Sequence, residues 1–427
     1  VDVPVFTTME HYRSYVQQRL VALHAMPSKL TDAYLGGLHI QSGGRFCGIV
    51  DALMASGECR RHRHNSLRLP RCQSPAVVIL WALLHHATKS GLAFDPFNLP
   101  RIALPRALRI LEAALKEGDV PECQQQLSSL QHLNGFVENG WLAKIGCSTP
   151  GAEEYTFASA LQYLSLAGWA PMLVVSHAWE DGPSDRTSEA AGQGTAVGND
   201  DGDGPETASD KLNYSAATMR EFIADTHREY IRCALPENSQ PALAKLGRVG
   251  WEEQRLDTVL AEDKFPAFAL VVLSRDYLDK MKRGKAEDQE GVDATKLPHV
   301  WREAKCIGDF LSASSKRDGA DADLGTSQPA AHALRRVLFC VVGGSEPLEA
   351  YHEYTTTVGL PPGGEPPWIY SLDSGRQRKQ LLLEVLGRIP EVMAESQVDL
   401  RASARVLGGL PDHMLKVLEA EFGGRDA

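Results

Sequence analysis

A polar, aromatic and acidic cluster follows a short apolar run near the middle of the chain. The run is Met172–Val175, and the cluster that continues it is Ser176-His-Ala-Trp-Glu-Asp181. An all-apolar run of this kind is typical of a strand that is buried on both faces of a sheet. In open parallel sheets, ligand-binding and catalytic groups collect beyond the carboxyl ends of such strands. We therefore expect a binding site that includes Ser176, His177, Trp179 and Asp181.

Further strands and helices are needed to position this cluster. Runs rich in apolar residues at 268–273, 336–342 and 366–373 predict three more strands, and Leu246–Gly250 is the one candidate for a strand between the first two. Helical patterns between the strands cover residues 218–233, 251–261, 297–311 and 376–389. This alternation predicts one parallel sheet, with Ser274 on the same rim as Ser176.

The chain divides into regions by composition. Residues 1–165 are predicted to form a mainly α-helical domain, and residues 391–427 a C-terminal helical tail. The α/β region covers 171–390 and carries two insertions. Residues 182–210 are rich in Gly, Ser and acidic residues and are expected to be disordered, whereas 280–296 is a charged insertion.

The charge distribution limits the ligands that the α/β half can bind. Residues 1–170 carry 15 Lys and Arg against 13 Asp and Glu, a net charge of +2, whereas the rest carries 29 against 42, a net charge of −13. Nucleic acid is not expected as a partner there, because phosphate binding needs clustered basic residues. Scattered cysteines, no visible signal peptide and no apolar run of membrane-spanning length predict a cytoplasmic protein without membrane contact.

One cluster in the N-terminal half has metal-ligating residue types. Cys59, His62, His64 and Cys72 supply two thiols and two imidazoles, a set that a tetrahedral zinc site can use. Their spacing matches none of the usual paired-ligand knuckles, and arginines crowd the segment. A solvated basic loop is the simpler interpretation, so no metal site is predicted.

The order of the elements and several short motifs resemble a TIR (Toll/interleukin-1 receptor) domain. Leu173–Asp181 looks like that family's first strand and following loop, and Phe268–Leu278, with Leu-Ser and then Tyr-Leu, looks like its middle strand. His299–Glu303 resembles the family's helix with a tryptophan and a glutamate, and Trp368–Asp373 resembles its last strand. The resemblance covers residues 171–390 and implies a flavodoxin-like parallel sheet.

Many TIR domains hydrolyse NAD at the nicotinamide–ribose bond, so the resemblance implies an NAD+ nucleosidase that works when self-associated. The reaction has an oxocarbenium-like centre and needs a carboxylate beside the ribose. By resemblance Glu303 is the catalytic carboxylate, Trp179 stacks on nicotinamide or adenine, and Ser274 bonds to ribose or phosphate. The rest of the site would be Ser176, His177, Asp181 and Trp301. NAD is then the substrate, no further cofactor is expected, and the partners are other TIR domains or a second copy of the chain.

The spacing of the tryptophan and the glutamate keeps other interpretations open. The family's glutamate lies four residues after its tryptophan, where this chain has Lys305, but Glu303 follows Trp301 by only two residues. On a helix this difference turns the carboxylate by about 160°. The shift favours a non-catalytic adaptor that acts through TIR–TIR contacts. A flavodoxin-like domain that binds a nucleotide or another small ligand is a further alternative, and Ser274 has a simpler role as the N-cap of the next helix.

Overall fold

A computed structural model describes most of the helices and strands of the 427-residue chain. The residues that it describes are 9–22, 30–42, 79–86 (without 81 and 85), 94–115, 122–138, 141–145, 152–166, 172–178, 218–226 (without 220), 231–235, 251–253, 267–320 (without 295), 336–360, 366–395 and 412–422. Contacts group the chain into two units. The first unit contains residues 1–171 and 382–427, and the second contains residues 172–381.

The N-terminal part of the first unit combines helices with a small antiparallel sheet. The helices are α1 (Met9–Ala22), α2 (Asp32–Ser42), α3 (Leu104–Leu115), α4 (Glu122–Glu138) and α5 (Ala160–Leu166), and the strands are β1 (Arg101–Ala103), β2 (Leu142–Ile145) and β3 (Glu154–Phe157). The strands pair antiparallel in the order β1-β3-β2. A mainly helical region is therefore an incomplete prediction, because strands of three or four residues are too short to show a clear two-residue period.

The second unit is built on a six-stranded parallel sheet. Its strands are β4 (Met172–Ser176), β5 (Arg232–Leu235), β6 (Trp251–Glu253), β7 (Ala267–Leu273), β8 (Val337–Val341) and β9 (Ile369–Ser371). They lie in the order β6-β5-β4-β7-β8-β9, and all neighbours are parallel. The chain moves outward from β4 to β6 and then returns to β7 on the other side of β4. The strand order therefore reverses between β4 and β7, which is the position where open α/β sheets bind ligands.

Helices follow most strands of this sheet, and the last helices belong to the C-terminal part of the chain. They are α6 (Arg275–Gln289), α7 (His299–Ala320), α8 (Pro347–Val358), α9 (Gly375–Gly387), α10 (Ile389–Glu395) and α11 (Asp412–Phe422). The helices α6, α7 and α8 pack against one another and against β4, β7 and β8. Alternate strand residues, such as Val174, Val271 and Phe339, point into this core and meet helix residues such as Val300 and Tyr354.

Several boundaries in the second unit differ from the sequence predictions. The helix predicted over 218–233 is helical at 218–226 (without 220), whereas strand β5 begins at Arg232 and pairs with Met172. The helix predicted over 251–261 begins as strand β6. A strand of three or four residues next to an amphipathic stretch changes the hydrophobic pattern too little to be separated from it. Residues 182–210 and the candidate strand Leu246–Gly250 lie outside the described residues.

The charged stretch predicted as an insertion over 280–296 is helical as far as Gln289. Two of its charges form ion pairs one helical turn apart, Lys280 with Asp276 and Arg283 with Glu287. Pairs at this spacing stabilise a helix, so a charged stretch of this kind is compatible with α6. Arg283 lies on the exposed face of this helix, whereas Lys280 is buried. The helix α7 similarly continues past residue 311 to Ala320.

The C-terminal residues of the chain complete the core of the first unit. Leu383 packs with Tyr12, Val16 and Leu35 of α1 and α2. The backbones approach closely here, because a Cβ atom added to Gly37 would lie 1.8 Å from the carbonyl oxygen of Leu383. In α11, Glu421 pairs with Arg109 of α3 at 2.9 Å. The segment expected as a separate tail over 391–427 thus contacts the N-terminal helices.

Candidate active site at the carboxyl end of the central strand

Ser176 is the last residue of β4 and is fully buried. Side chains alternate along a strand, so Ser176 lies on the same face as Met172 and Val174. Those two residues belong to the core that contains Val300 and Ala304 of α7. The alternation therefore directs the hydroxyl of Ser176 toward α7.

Glu303 of α7 meets this hydroxyl. Its carboxylate oxygen Oε2 lies 2.5 Å from Ser176 Oγ. The side chain is on the inner face of the helix, with Val300, Ala304 and Ile307 at helical spacing around it, and the residue is only 7% exposed. Among the described residues, Ser176 is the hydrogen-bond partner of Glu303, through Oε2.

Tyr277 extends this contact into a chain of three polar groups. Its hydroxyl lies 3.1 Å from Ser176 Oγ, and either oxygen can donate. The ring is placed by the start of α6, where the amide of Tyr277 donates to Ser274 Oγ at 3.1 Å. Ser274 is therefore the N-cap of α6, which is the simpler of its two predicted roles. Through this cap it holds Tyr277 beside the site.

Burial determines the proton states of the two titratable groups. It raises the pKa of Glu303 to about 8, while the Ser176 hydrogen bond and the nearby charge of Arg302 act in the opposite direction. The pKa of Tyr277 also lies above its ordinary value, because of burial and then the charge of Glu303. Near pH 7 the unliganded site therefore holds a mainly neutral Glu303 carboxyl group.

His177, the next residue after β4, belongs to a second group of polar side chains. It is 5% exposed, and burial together with the charge of Lys280 lowers its pKa to about 4. The imidazole is therefore neutral near pH 7. Lys280 is itself buried and pairs with Asp276 in the first turn of α6 at 3.0 Å. The end of β4 thus has a carboxyl group and a lysine–aspartate pair close to it.

Comparison with known proteins adds no relative to this description. No family model, curated protein or solved structure matches the chain. The interpretation of the site therefore depends on its own geometry.

Trp301 lies between two helices rather than beside Glu303. Its Nε1 donates to Asp288 Oδ2 of α6 at 3.2 Å, and its Cβ would lie 2.3 Å from a Cβ added to Gly284. This packing joins α6 to α7. Trp301 and Glu303 point in different directions, because residues two apart on a helix do not share a face. The role of Trp301 in substrate binding stays a prediction.

The remaining predicted site residues are not described. Trp179 and Asp181 lie outside the described residues, as do the thiols and imidazoles at 59–72. Within the described part of the chain, no group of three metal-ligating side chains comes together. None of the described helices is long and apolar enough to cross a membrane.

The sequence patterns did not identify Tyr277 as a site residue, although the motif that contains it is recognisable. The feature that could have identified Tyr277 is its position in the first turn of a helix that starts directly after a buried strand. A large side chain there reaches the carboxyl end of the neighbouring strand. Lys280 was missed because its stretch of α6 is dense in charge. Apart from Met281, five of the six residues from Asp279 to Lys285 are charged, which is typical of an exposed face.

Proposed function

We propose that the second unit is a TIR-like hydrolase that cleaves NAD at the nicotinamide–ribose bond, with Glu303 as its catalytic carboxylate. The observation that carries the proposal is the 2.5 Å contact between Glu303 Oε2 and Ser176 Oγ at the carboxyl end of β4. This contact brings the carboxylate to the reversal of strand order between β4 and β7. Open α/β sheets bind nucleotides in the crevice at such a reversal.

The strand order supports the fold that the proposal requires. Without the three-residue outer strand β6, the remaining strands lie in the order second-first-third-fourth-fifth, which is flavodoxin-like. With β6, the order is that of doubly wound dinucleotide-binding sheets. Both descriptions put a nucleotide at the same crevice, next to Ser176.

The reaction would use Glu303 in its ionised form. When the bond breaks, its electron pair leaves with nicotinamide, water supplies a hydroxyl group to C1′ of the ribose, and one proton is released. Positive charge develops on the ribose, and a carboxylate beside it stabilises that charge. NAD itself favours ionisation, because its cationic nicotinamide ring would lower the pKa of a neighbouring carboxyl group.

Substitution of Glu303 tests the proposal. Glu303→Gln keeps the shape of the side chain but removes the charge, so nicotinamide release from NAD should fall by at least about 100-fold. Asp309→Asn is the matched control, since Asp309 is an exposed carboxylate on the same helix. Nicotinamide would be followed by chromatography, with and without a crowding agent that promotes self-association.

The control should retain the activity of the unsubstituted protein. If the unsubstituted protein releases no nicotinamide under either condition, the enzymatic proposal is wrong. If Glu303→Gln releases it at the original rate, another group performs the reaction.

A second candidate function is a non-catalytic TIR adaptor or scaffold. It is favoured by the low exposure of Glu303 and by the position of Lys305, where the family has its glutamate. Lys305 is exposed and pairs with Asp288 at 2.9 Å. An adaptor would self-associate equally well with and without Glu303→Gln and would leave NAD intact.

A flavodoxin-like binder of small ligands would instead bind a nucleotide without cleaving it, and calorimetry would measure that binding.

A further inference from the structure

We infer that Ser176 and Tyr277 are positioning residues of the proposed reaction, whose two hydroxyl groups form a relay that holds the Glu303 carboxyl group in one orientation through a change of its proton state. The inference rests on the proposed function, since it assigns how the catalytic carboxylate is held. Two distances carry it, 2.5 Å from Glu303 Oε2 to Ser176 Oγ and 3.1 Å from Ser176 Oγ to Tyr277 Oη.

The hydrogen bonds of the relay can run in either of two directions without movement of a heavy atom. When Glu303 is ionised, Ser176 donates to Oε2 and accepts from the Tyr277 hydroxyl. When Glu303 is neutral, its proton points to Ser176 Oγ, and Ser176 donates to Tyr277 in turn. A hydroxyl group can act as donor and acceptor at once, so Ser176 keeps both of its hydrogen bonds in either arrangement, while Tyr277 changes from donor to acceptor. Neither serine nor tyrosine has to lose a bond when the proton leaves.

A hydroxyl at the end of β4 has no packing advantage. The other side chains of this strand, Met172–Val175, are apolar and buried. A buried hydroxyl costs free energy unless it is hydrogen-bonded, so an apolar residue would serve the core at least as well as Ser176. The serine is accounted for by its two polar neighbours, Glu303 and Tyr277.

Tyr354 shows that burial beside α7 is not enough to join the relay. It is a fully buried tyrosine of α8, and its hydroxyl donates to the backbone oxygen of Ala304 at 3.4 Å. Tyr277 and Tyr354 therefore contact the same helix region, but the described hydrogen bonds connect only Tyr277 to Ser176. The two tyrosines make a matched pair for substitution.

The groups that face Glu303 determine the expected effect on its ionisation. These are Ser176 on β4, Tyr277 on α6, Tyr354 on α8 and the charged neighbour Arg302 on α7. Burial raises the pKa of Glu303, and the hydrogen bond from Ser176 is the largest influence that lowers it. Removal of the Ser176 hydroxyl should therefore move the ionisation of Glu303 to higher pH.

Three variants of the full-length protein test the relay: Ser176→Ala, Tyr277→Phe and Tyr354→Phe. The first measurement is kcat/KM for nicotinamide release from NAD as a function of pH. The second is infrared titration of the Glu303 carboxyl band, identified as the band that is lost in Glu303→Gln. Ser176→Ala should shift both midpoints upward by about 1–2 pH units, since a hydrogen bond to a charged group changes an ionisation constant by that amount. Tyr277→Phe should cause a smaller shift in the same direction, and Tyr354→Phe no shift.

The two measurements separate this inference from the proposed function. An upward shift of the infrared midpoint in Ser176→Ala and Tyr277→Phe, but not in Tyr354→Phe, supports the relay even if no variant cleaves NAD. Unchanged midpoints in all three variants overturn the relay, even if the unsubstituted protein is an active hydrolase. Equal shifts in the two tyrosine variants also overturn it, because a general effect of packing would then explain them.

Discussion

At the scale of single residues, two buried groups near the end of β4 have pKa values that shift in opposite directions. Burial raises the pKa of Glu303 from 4.5 to about 8 and lowers that of His177 from 6.5 to about 4. Glu303 is thus protonated in the folded state over a range in which it is ionised in the unfolded state. His177 behaves in the opposite way, since it is neutral when folded and protonated when unfolded.

The free energy of unfolding should depend on pH through both groups. Between pH 4.5 and 8 the folded state holds the extra proton of Glu303, so stability falls as pH rises, by about 1.4 kcal/mol per pH unit. Between pH 4 and 6.5 the unfolded state holds the extra proton of His177, so stability rises with pH. The two contributions cancel where the ranges overlap, and the loss due to Glu303 remains between pH 6.5 and 8.

Urea denaturation at a series of pH values would measure this effect. We expect Glu303→Gln to remove the loss of stability between pH 6.5 and 8, a difference of about 2 kcal/mol across that range. His177→Gln should leave this range unchanged and alter the slope only at lower pH. Parallel curves for Glu303→Gln and the unsubstituted protein would contradict a raised pKa at Glu303.

At the scale of elements, the pairing of α6 with α7 holds the inner face of α7 toward β4. Trp301 and Gly284 make the close approach between these helices, and Trp301 donates to Asp288. The tryptophan therefore acts on Glu303 indirectly, because it sets the rotation of α7. A side chain on the exposed face of the same helix, such as Lys305, could not reach Ser176.

Gly284→Ala should destabilise the second unit by about 1–3 kcal/mol, because the new Cβ would lie 2.3 Å from Trp301 Cβ and the helices would have to separate. Gly135→Ala is the control, since that glycine lies within α4 and a Cβ there meets nothing within 4 Å. It should stabilise the protein by up to about 1 kcal/mol, the usual advantage of alanine in a helix. Denaturation midpoints would compare the two, and equal effects would rule out a specific contact at Gly284.

The strands that could be predicted from sequence are those whose residues are buried on both faces of the sheet. The strands β4, β7 and β8 are short apolar runs because both of their faces are buried, and the predictions for them are confirmed. The short strands β1, β2, β3, β5 and β6 were missed, since three or four residues carry little periodic signal.

The site was predictable only in part. Ser176 and Glu303 were expected near one rim, and the structure brings them into contact. Tyr277 was not expected as their partner, because its role depends on where α6 starts relative to the neighbouring strand. Trp301 points toward α6 and not toward Ser176, because of the rotation of α7 about its axis. That rotation depends on the packing of Trp301 against Gly284 and not on the local sequence.

At the scale of the whole molecule, the first unit is discontinuous in sequence. The Gly37 backbone of α2 packs against Leu383 of α9, and a Cβ at Gly387 would lie 1.7 Å from the carbonyl oxygen of Ala33. The two helices cross so closely that only glycine fits at these positions. Residues more than 340 positions apart therefore form one contact.

Substitution at two neighbouring glycines would measure this contact. Gly37→Ala should lower the stability of the first unit by about 1–3 kcal/mol, because the added Cβ overlaps the Leu383 backbone. Gly36→Ala should be tolerated, since its Cβ would lie at an ordinary 3.4 Å from Gly387. Hydrogen exchange of the α1 and α2 amides would report the difference. Similar exchange in both variants would contradict the close crossing.

The division of the first unit also determines the order in which the protein can be completed during synthesis. A ribosome makes all of residues 172–381 before it reaches Leu383 and Gly387. The sheet unit can therefore finish folding on the nascent chain, whereas α1 and α2, which are made before it, must wait for Leu383. During this interval the apolar side chains of Tyr12, Val16 and Leu35 lack Leu383. The apolar cluster of α1 and α2 is therefore complete only after Leu383 has been synthesised.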